Sequence, residues 1–259
     1  MKLVKHSFIN NATALCYAGL VTTYPNFERA RSAGAKHLRE AAILAAAADL
    51  ATEHGVRAVT LTDIAAAVGM HKSAMLRYFE TREEIFLRLS ARGWTEWSQA
   101  VRARLSSLTS GAVAQDPVTL VADAFAGTLT ARPLFCDLLA HTPLNLERGV
   151  SLAAVRSFKM TAIAEAAAIS AALCQVLPLT LDQAGNVVAT ATAMAGALWQ
   201  MAAPGTELRR FYEDSPELAH AVIEVGPRLS SILTALLRGY RTRPGDGRLL
   251  AATAIPPWG

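Results

Sequence analysis

The sequence predicts an all-α protein, on three observations. Alanine makes up roughly a fifth of the 259 residues and aromatic residues only 7%, a balance that favours closely packed helices over sheets of bulky, β-branched side chains. Apolar residues recur at three- and four-residue steps, and no segment alternates apolar with polar residues as a half-buried strand does. Hydroxyl residues followed three positions later by a carboxylate stand at Thr60 and Asp63 and again at Thr81 and Glu84, the capping-box pattern that opens a helix.

The elements follow in order. Ile43, Ala47, Leu50 and Ala51 mark one amphipathic helix over Lys36 to Gly55, with Gly55 where a C-terminal cap belongs. The first box opens a short helix, Ile64 to Val68, which stops at Gly69; His71 to Phe79 forms a third segment. The second box opens a long helix through Ile85, Phe86, Leu89, Trp94, Trp97, Val101 and Leu105. Gly111, Asp116 and Pro117 break the chain before a helix over Val118 to Thr130, and Pro133 starts another through Leu139. His141 to Gly149, with Pro143 and Asn145, reads as a loop. Long helices follow over Ser151 to Leu177 and from Asp182 to Met201, the second closed by Pro204 and Gly205. Ser215-Pro216-Glu217 is expected to begin the last helix, striped by Val222, Val225, Leu229, Ile232, Leu236 and Tyr240. The organisation expected is an N-terminal extension (1–35), a three-helix unit (36–80), a helical body (81–240) and a tail (241–259).

Composition excludes several classes of function. Cys16, Cys136 and Cys174 are too few and too widely spaced for a disulfide framework or a four-thiolate zinc site, which suits a reducing cytoplasm. The run Thr161 to Leu181 is interrupted by Glu165, Ser170, Gln175 and Pro178, so no membrane span is expected. Gly149-Val150-Ser151-Leu152-Ala153 falls short of a nucleophile elbow, having a single glycine and no preceding strand. Asp137 and His141 lie four apart beside Cys136, yet no third ligand is spaced to join them. No catalytic residues, metal or cofactor are therefore expected. The formal charge of +4 is concentrated in residues 1–40, where Lys2, Lys5, Arg29, Arg31, Lys36 and Arg39 face only Glu28 and Glu40. Such an arm attracts an acidic polymer or keeps the chain soluble.

The two short segments on either side of Gly69 make a helix-turn-helix. Ala65 and Ala66 allow close approach, and Ile64, Val68, Met75 and Phe79 supply a shared apolar seam. The opposite face of the second segment then offers Lys72, Ser73, Leu76 and Arg77, with no acid from Met70 to Phe79. A thin helix with a cationic outer face fits the roughly 12 Å wide major groove of DNA.

From about Arg39 to Leu87 these residues resemble the N-terminal DNA-binding domain of TetR-type (TetR/AcrR) transcriptional regulators. Thr60, Asp63-Ile64-Ala65, Val68-Gly69, Lys72, Arg77-Tyr78-Phe79 and Arg82-Glu83-Glu84 carry the resemblance. It departs at His71, where the family commonly has Ser, and at Leu76, where it commonly has Tyr. The resemblance implies that Thr60, Thr62 and Tyr78 touch phosphates and that Lys72, Ser73 and Arg77 reach base edges or phosphate. It also implies a repressor, and its final two helices occupy the place of the family's dimerisation pair.

In the body, few ionisable groups stand between Ser157 and Leu181, which implies either a solid interior or an apolar cavity. Candidate lining residues are Trp94, Trp97, Phe125, Phe135, Phe158, Met160, Met194 and Trp199, with His141 as a polar handle, for a small, mainly apolar effector. The small residues of Val187 to Met201 and the stripe of Val222 to Tyr240 are expected to form a four-helix homodimer interface. A two-fold dimer binds a palindromic double-stranded operator, and effector binding shifts it off DNA. The alternative is an all-α small-molecule-binding protein with no DNA-binding function.

Overall fold

Capping chemistry sets the ends of most helices. The structure is a computed structural model and describes residues 33–109 and 116–241. The basic residues before position 33, Cys16, Gly111 and the tail beyond Arg241 lie outside the described residues. Among the described residues there are ten α-helices and no strand: α1 (Ala33–His54), α2 (Leu61–Ala67), α3 (Lys72–Met75), α4 (Arg82–Thr109), α5 (Pro117–Thr130), α6 (Pro133–His141), α7 (Leu152–Val176), α8 (Leu181–Ala202), α9 (Glu207–Asp214) and α10 (Val225–Arg241). Thr60 caps α2 in a full capping box with Asp63, Thr180 caps α8 with Gln183, and Ser151 caps α7 by accepting from the Ala154 amide. Asp116 and Thr206 cap α5 and α9.

Five expectations are corrected. α1 starts at Ala33, three residues ahead of the expected Lys36. The box at Thr81 is half formed: Thr81 Oγ1 accepts from the Glu84 amide at 3.1 Å, but the Glu84 carboxylate accepts from the amide of Glu80. α3 is shorter than His71 to Phe79, because beyond Met75 the backbone tightens into bonds from Arg77 to Ala74 and from Tyr78 and Phe79 to Met75. The expected loop from His141 is helical, α6 running on into a π-helical turn (Thr142–Leu146) that contains Pro143, and then a 3-10 turn (Glu147–Gly149). Finally, Glu207–Asp214 forms a helix that the apolar pattern does not mark, and Ser215-Pro216-Glu217 opens a 3-10 helix (Pro216–Ala221), so the last α-helix begins only at Val225.

Two packing units share α4. In the first, α1, α2 and α3 enclose Ile43, Ala47, Ala51, Val56, Val59, Ile64, Ala65, Val68, Met75 and Phe79 against Ile85, Phe86 and Leu89 of α4. In the second, α4 packs against α5, α6 and α7, and α10 lies on α5 and α8. Here the aromatic side chains are in mutual edge contact: Trp94 to Trp97 at 5.6 Å, Trp97 to Phe125 at 5.9 Å and Trp94 to Phe135 at 6.0 Å between centroids. Trp97 Nε1 donates to Thr128 Oγ1 at 3.1 Å, so the buried indole is satisfied. α7 is long and apolar enough to cross a membrane by composition alone, yet it buries Phe158, Ile169, Ser170 and Leu173 and packs on α4 and α8.

Close approach in the body depends on missing side chains. A Cβ at Gly196 of α8 would lie 2.8 Å from the Ala140 amide nitrogen and 3.1 Å from its Cα, so α6 and α8 cross backbone to backbone. Gly196→Ala is expected to lower stability by about 1–3 kcal/mol, because backbone must move to admit the methyl group. Gly127→Ala, on an exposed face of α5 with nothing within 4 Å, is expected to raise it by about 0.5–1 kcal/mol through helix propensity. Urea unfolding of the two variants checks both signs.

Candidate nucleic-acid interface

The first unit presents one cationic surface, and its backbone explains why. α2 ends in a Schellman motif: the Gly69 amide donates to Ala66 O at 3.1 Å and the Met70 amide to Ala65 O at 2.8 Å. Gly69 has φ +64°, and this left-handed residue turns the chain sharply into α3. The seam expected from the sequence forms, with Ile64, Val68, Met75 and Phe79 all buried. Burial of Met75 and Phe79 sets the rotation of the segment, so Lys72, Ser73, Leu76 and Arg77 point outward and are exposed. Among the described residues, neither Lys72 nor Arg77 has an ion-pair partner. His71 stands at the N-cap of α3 but makes no side-chain capping bond, and the exposed Leu76 adds an apolar spot in the middle of the surface.

The threonines differ in what they have left to give. Thr60 Oγ1 donates to Asp63 Oδ2 at 2.7 Å and accepts from the Asp63 amide at 3.2 Å, so its hydroxyl proton is committed within the box. Thr62 is exposed with no internal partner among the described residues, and Tyr78 is half-buried against the core with its hydroxyl likewise unpaired. The two bonds from Thr60, its hydroxyl first and its amide at 2.8 Å second, hold the Asp63 carboxyl below its ordinary range.

The nine candidate effector residues do not line one chamber. Trp94, Trp97, Phe125 and Phe135 fill the core against one another. Met160 is exposed on α7, and Met194 is half-buried against the core. Phe158 is on the wall of a cleft of about 550 Å³ between α1, α4 and α7, with Leu44, Leu87, Ala91 and Arg88. Phe135 and Trp199 border two other clefts, of about 300 and 590 Å³, beside α1. His141 is buried with Nδ1 unpartnered, and burial pushes its pKa down, so the imidazole is neutral. Among the described residues no three His, Cys, Asp or Glu side chains gather as a metal site. Burial, and next the charge of Asp137, raise the Cys136 thiol to about 12, so it is no nucleophile.

Contacts invisible in the sequence tie the first unit to the body. Arg82 at the start of α4 donates to the carbonyls of Val56 and Val59, Thr81 Oγ1 donates to Gly149 O at 3.0 Å, and Asp137 of α6 accepts from the Val56 amide. Arg82-Glu83-Glu84 stands out as a helix start; nothing in it reveals that Arg82 reaches back 23 and 26 residues.

Residues 43–89 match the model of the family described as bacterial regulatory proteins, tetR family, and residues 91–244 match that of a tetracyclin repressor-like C-terminal domain. No curated protein matches the sequence. Similar solved structures include the fatty acid degradation regulator FadR from Bacillus halodurans, 15% identical, covering 77% of this chain and 96% of that one with a TM-score of 0.47. The TetR family transcriptional regulator PfmR from Thermus thermophilus is 20% identical, over 76% of this chain and 97% of its own, at 0.46. Thermus thermophilus FadR, a TetR family repressor solved with lauroyl-CoA, is 18% identical over 84% and 99%, at 0.45.

Thr60→Ala removes a cap and is expected to cost about 0.5–2 kcal/mol, measured by urea unfolding at neutral pH. The Asp63 side of the box has a defined pH dependence. Because its carboxyl is lowered in the folded state, its contribution is present above the unfolded carboxylate value and is lost as pH falls through the folded one. The stability gap between the wild type and Asp63→Asn therefore narrows on acidification below about pH 4.

Proposed function

Because the chain belongs to the tetR family of bacterial regulatory proteins, we propose that it is a cytoplasmic homodimeric repressor that binds a palindromic operator and is released by a small, mainly apolar effector. The reading head is residues 36–80 and the effector and dimerisation body 81–240. The observation that carries the proposal is the outward face of α3, where Lys72, Ser73 and Arg77 stand exposed and unopposed by any acid. Lys72, Ser73 and Arg77 reach base edges or phosphate in the major groove, while Thr62 and Tyr78 hydrogen-bond phosphates and fix the register. Thr60 acts at one remove, by holding the start of α2 beside Thr62.

Dimerisation through Val187–Met201 and Val222–Tyr240 is supported by what each helix leaves uncovered. α8 exposes Ala189, Ala193 and Ala197 at four-residue steps, which lets a second helix approach closely. α10 buries Val225, Leu229, Leu233 and Leu237 within its own chain and leaves Ile232, Leu236 and Tyr240 half-covered beside them. Two such pairs make a four-helix interface and set two recognition segments about 34–36 Å apart, one turn of DNA. The cleft beside Phe158 has the size of a small-molecule site and touches both α1 of the head and α7 of the body. A ligand that binds better to one arrangement of head and body shifts the population toward it.

The test is an electrophoretic mobility shift on operator selected from random palindromes by the wild-type protein. Lys72→Ala and Arg77→Ala are each expected to weaken binding by about 1–3 kcal/mol, and a lost phosphate contact lowers the salt slope by about one. Unchanged affinity in both variants removes the assignment of α3 as the reader.

A further inference from the structure

Asp137 is an ionisable side chain more than nine-tenths buried, and no part of the proposed DNA face includes it. A buried carboxylate is costly unless its oxygens are satisfied. Among the described residues no Lys, Arg or His lies within ion-pair distance of it, although its charge acts on the buried His141 four residues on. Its partners are two neutral donors far away in sequence. Asp137 Oδ2 accepts from the Val56 amide at 2.7 Å across 81 positions, and Oδ1 accepts from Gln200 Nε2 at 2.7 Å across 63. Val56 belongs to the α1–α2 turn of the head; Gln200 lies in the last turn of α8, within the segment read above as a dimer helix.

One side chain thus joins the head, α6 and α8 through two hydrogen bonds of 2.7 Å, one accepted at each oxygen. The local chain is built to make the joint. Gly55 has φ +81° and ends α1 so that the next amide meets Asp137; a Cβ there would already touch Oδ2 at 3.8 Å. On the other side of the same turn, Arg82 takes the Val56 carbonyl. The Val56 amide can only donate, so the oxygen facing it must accept, whereas the Gln200 amide can turn over and present its own oxygen. Asparagine therefore keeps both bonds once Gln200 turns over, while leucine keeps a similar volume and loses both.

We infer that Asp137, with Gln200, is a positioning residue for DNA recognition: it fixes the angle of the reading head against the α8 end of the body, and so the half-site spacing that the dimer accepts. The inference rests on the reading of the protein as a dimeric DNA-binding regulator. Apolar contacts between head and body tolerate small rotations, whereas a short, directional bond to the turn, made by a carboxylate that Gln200 holds from the other side, does not. A head released from this joint still carries Lys72, Ser73 and Arg77 and still binds a half-site. It loses the fixed separation from its twin.

The experiment uses the full chain and the operator it selects from random palindromes, compared with the same half-sites moved apart by one and two base pairs. Asp137→Leu, which can make neither bond, is expected to weaken binding to the selected spacing about tenfold or more and to flatten the preference among spacings, while Asp137→Asn, which keeps both bonds once Gln200 turns over, is expected to retain the preference. In the leucine variant, hydrogen exchange at Val56 should speed up while the amides of Leu233 and Leu237 in α10 stay protected. Gln200→Ala, at an exposed position, loses the α8 arm alone and serves if the leucine variant does not fold; it too should flatten the preference. Wild-type spacing preference in Gln200→Ala or in Asp137→Leu overturns the inference while the regulator reading stands. A wild-type protein that selects no operator overturns both.

Discussion

A helix that belongs to two packing units must bury a face in each, and the whole arrangement hangs on α4 doing so. Its first turns place Ile85, Phe86, Leu87 and Leu89 in the head, and its later turns place Trp94, Trp97, Val101 and Leu105 in the body. Twenty-eight residues at about 1.5 Å each make a rod of about 42 Å. No break interrupts the rod between the two cores, so rotation of its distal part is carried to the head. The handover occurs at Gly93, where a Cβ would lie 2.2 Å from the Phe135 ring. The absent side chain lets α6 press on α4 there, beside the cleft that α1 and α4 share. A shift in α6 consequently moves both Phe135 against α4 and Asp137 against the α1–α2 turn.

The head itself has little stability of its own to resist such a shift. α3 is one turn long, far below the length at which an isolated helix holds together. It persists because Met75 and Phe79 are buried and because bonds from Ala74 and Met75 to His71, then from Tyr78 and Phe79 to Met75, tie it at both ends. The orientation of Lys72 and Arg77 is therefore a product of tertiary packing more than of helix propensity. It depends on α2, whose own start rests on the box between Thr60 and Asp63.

What could be read from the sequence follows from where the information lies. The start of α2 and the end of α1 were legible because capping is local: Thr60 and Gly55 act within a few residues of themselves. The cationic face of α3 was legible for the same reason, since an unbroken absence of acids needs no third dimension. α9 was not, because none of its residues is buried; it is held by Arg209, which bonds to Glu213, to Glu224 and to the Ile223 carbonyl. Ser215-Pro216-Glu217 carries the marks of a helix start and does begin one, but of the 3-10 kind, so the stripe from Val222 ran ahead of the α-helix that uses it. The aromatic residues were expected to line a cavity, but composition does not tell a cavity from a packed cluster. Edge-to-face contacts at 5.6–6.0 Å close the space and leave the clefts at the junction around α1.

The least legible part is also the most directional. Asp137 and His141 stand four residues apart beside a cysteine, which in sequence suggests a partial metal site; in space the carboxylate turns to Val56 and Gln200, and His141 stays neutral. A regulator needs its head held firmly enough to select one spacing and loosely enough to be moved by a ligand. Apolar burial alone supplies the first poorly, because side chains such as Leu44 and Leu87 keep most of their contact through a small rotation. A carboxylate shared by two donors supplies both, since each bond holds over a narrow range of angles and is lost at once outside it. The joint also forms part of the wall of the cleft lined by Gly55, Trp199 and Ala203, so the bonds that orient the head run alongside space that solvent can reach.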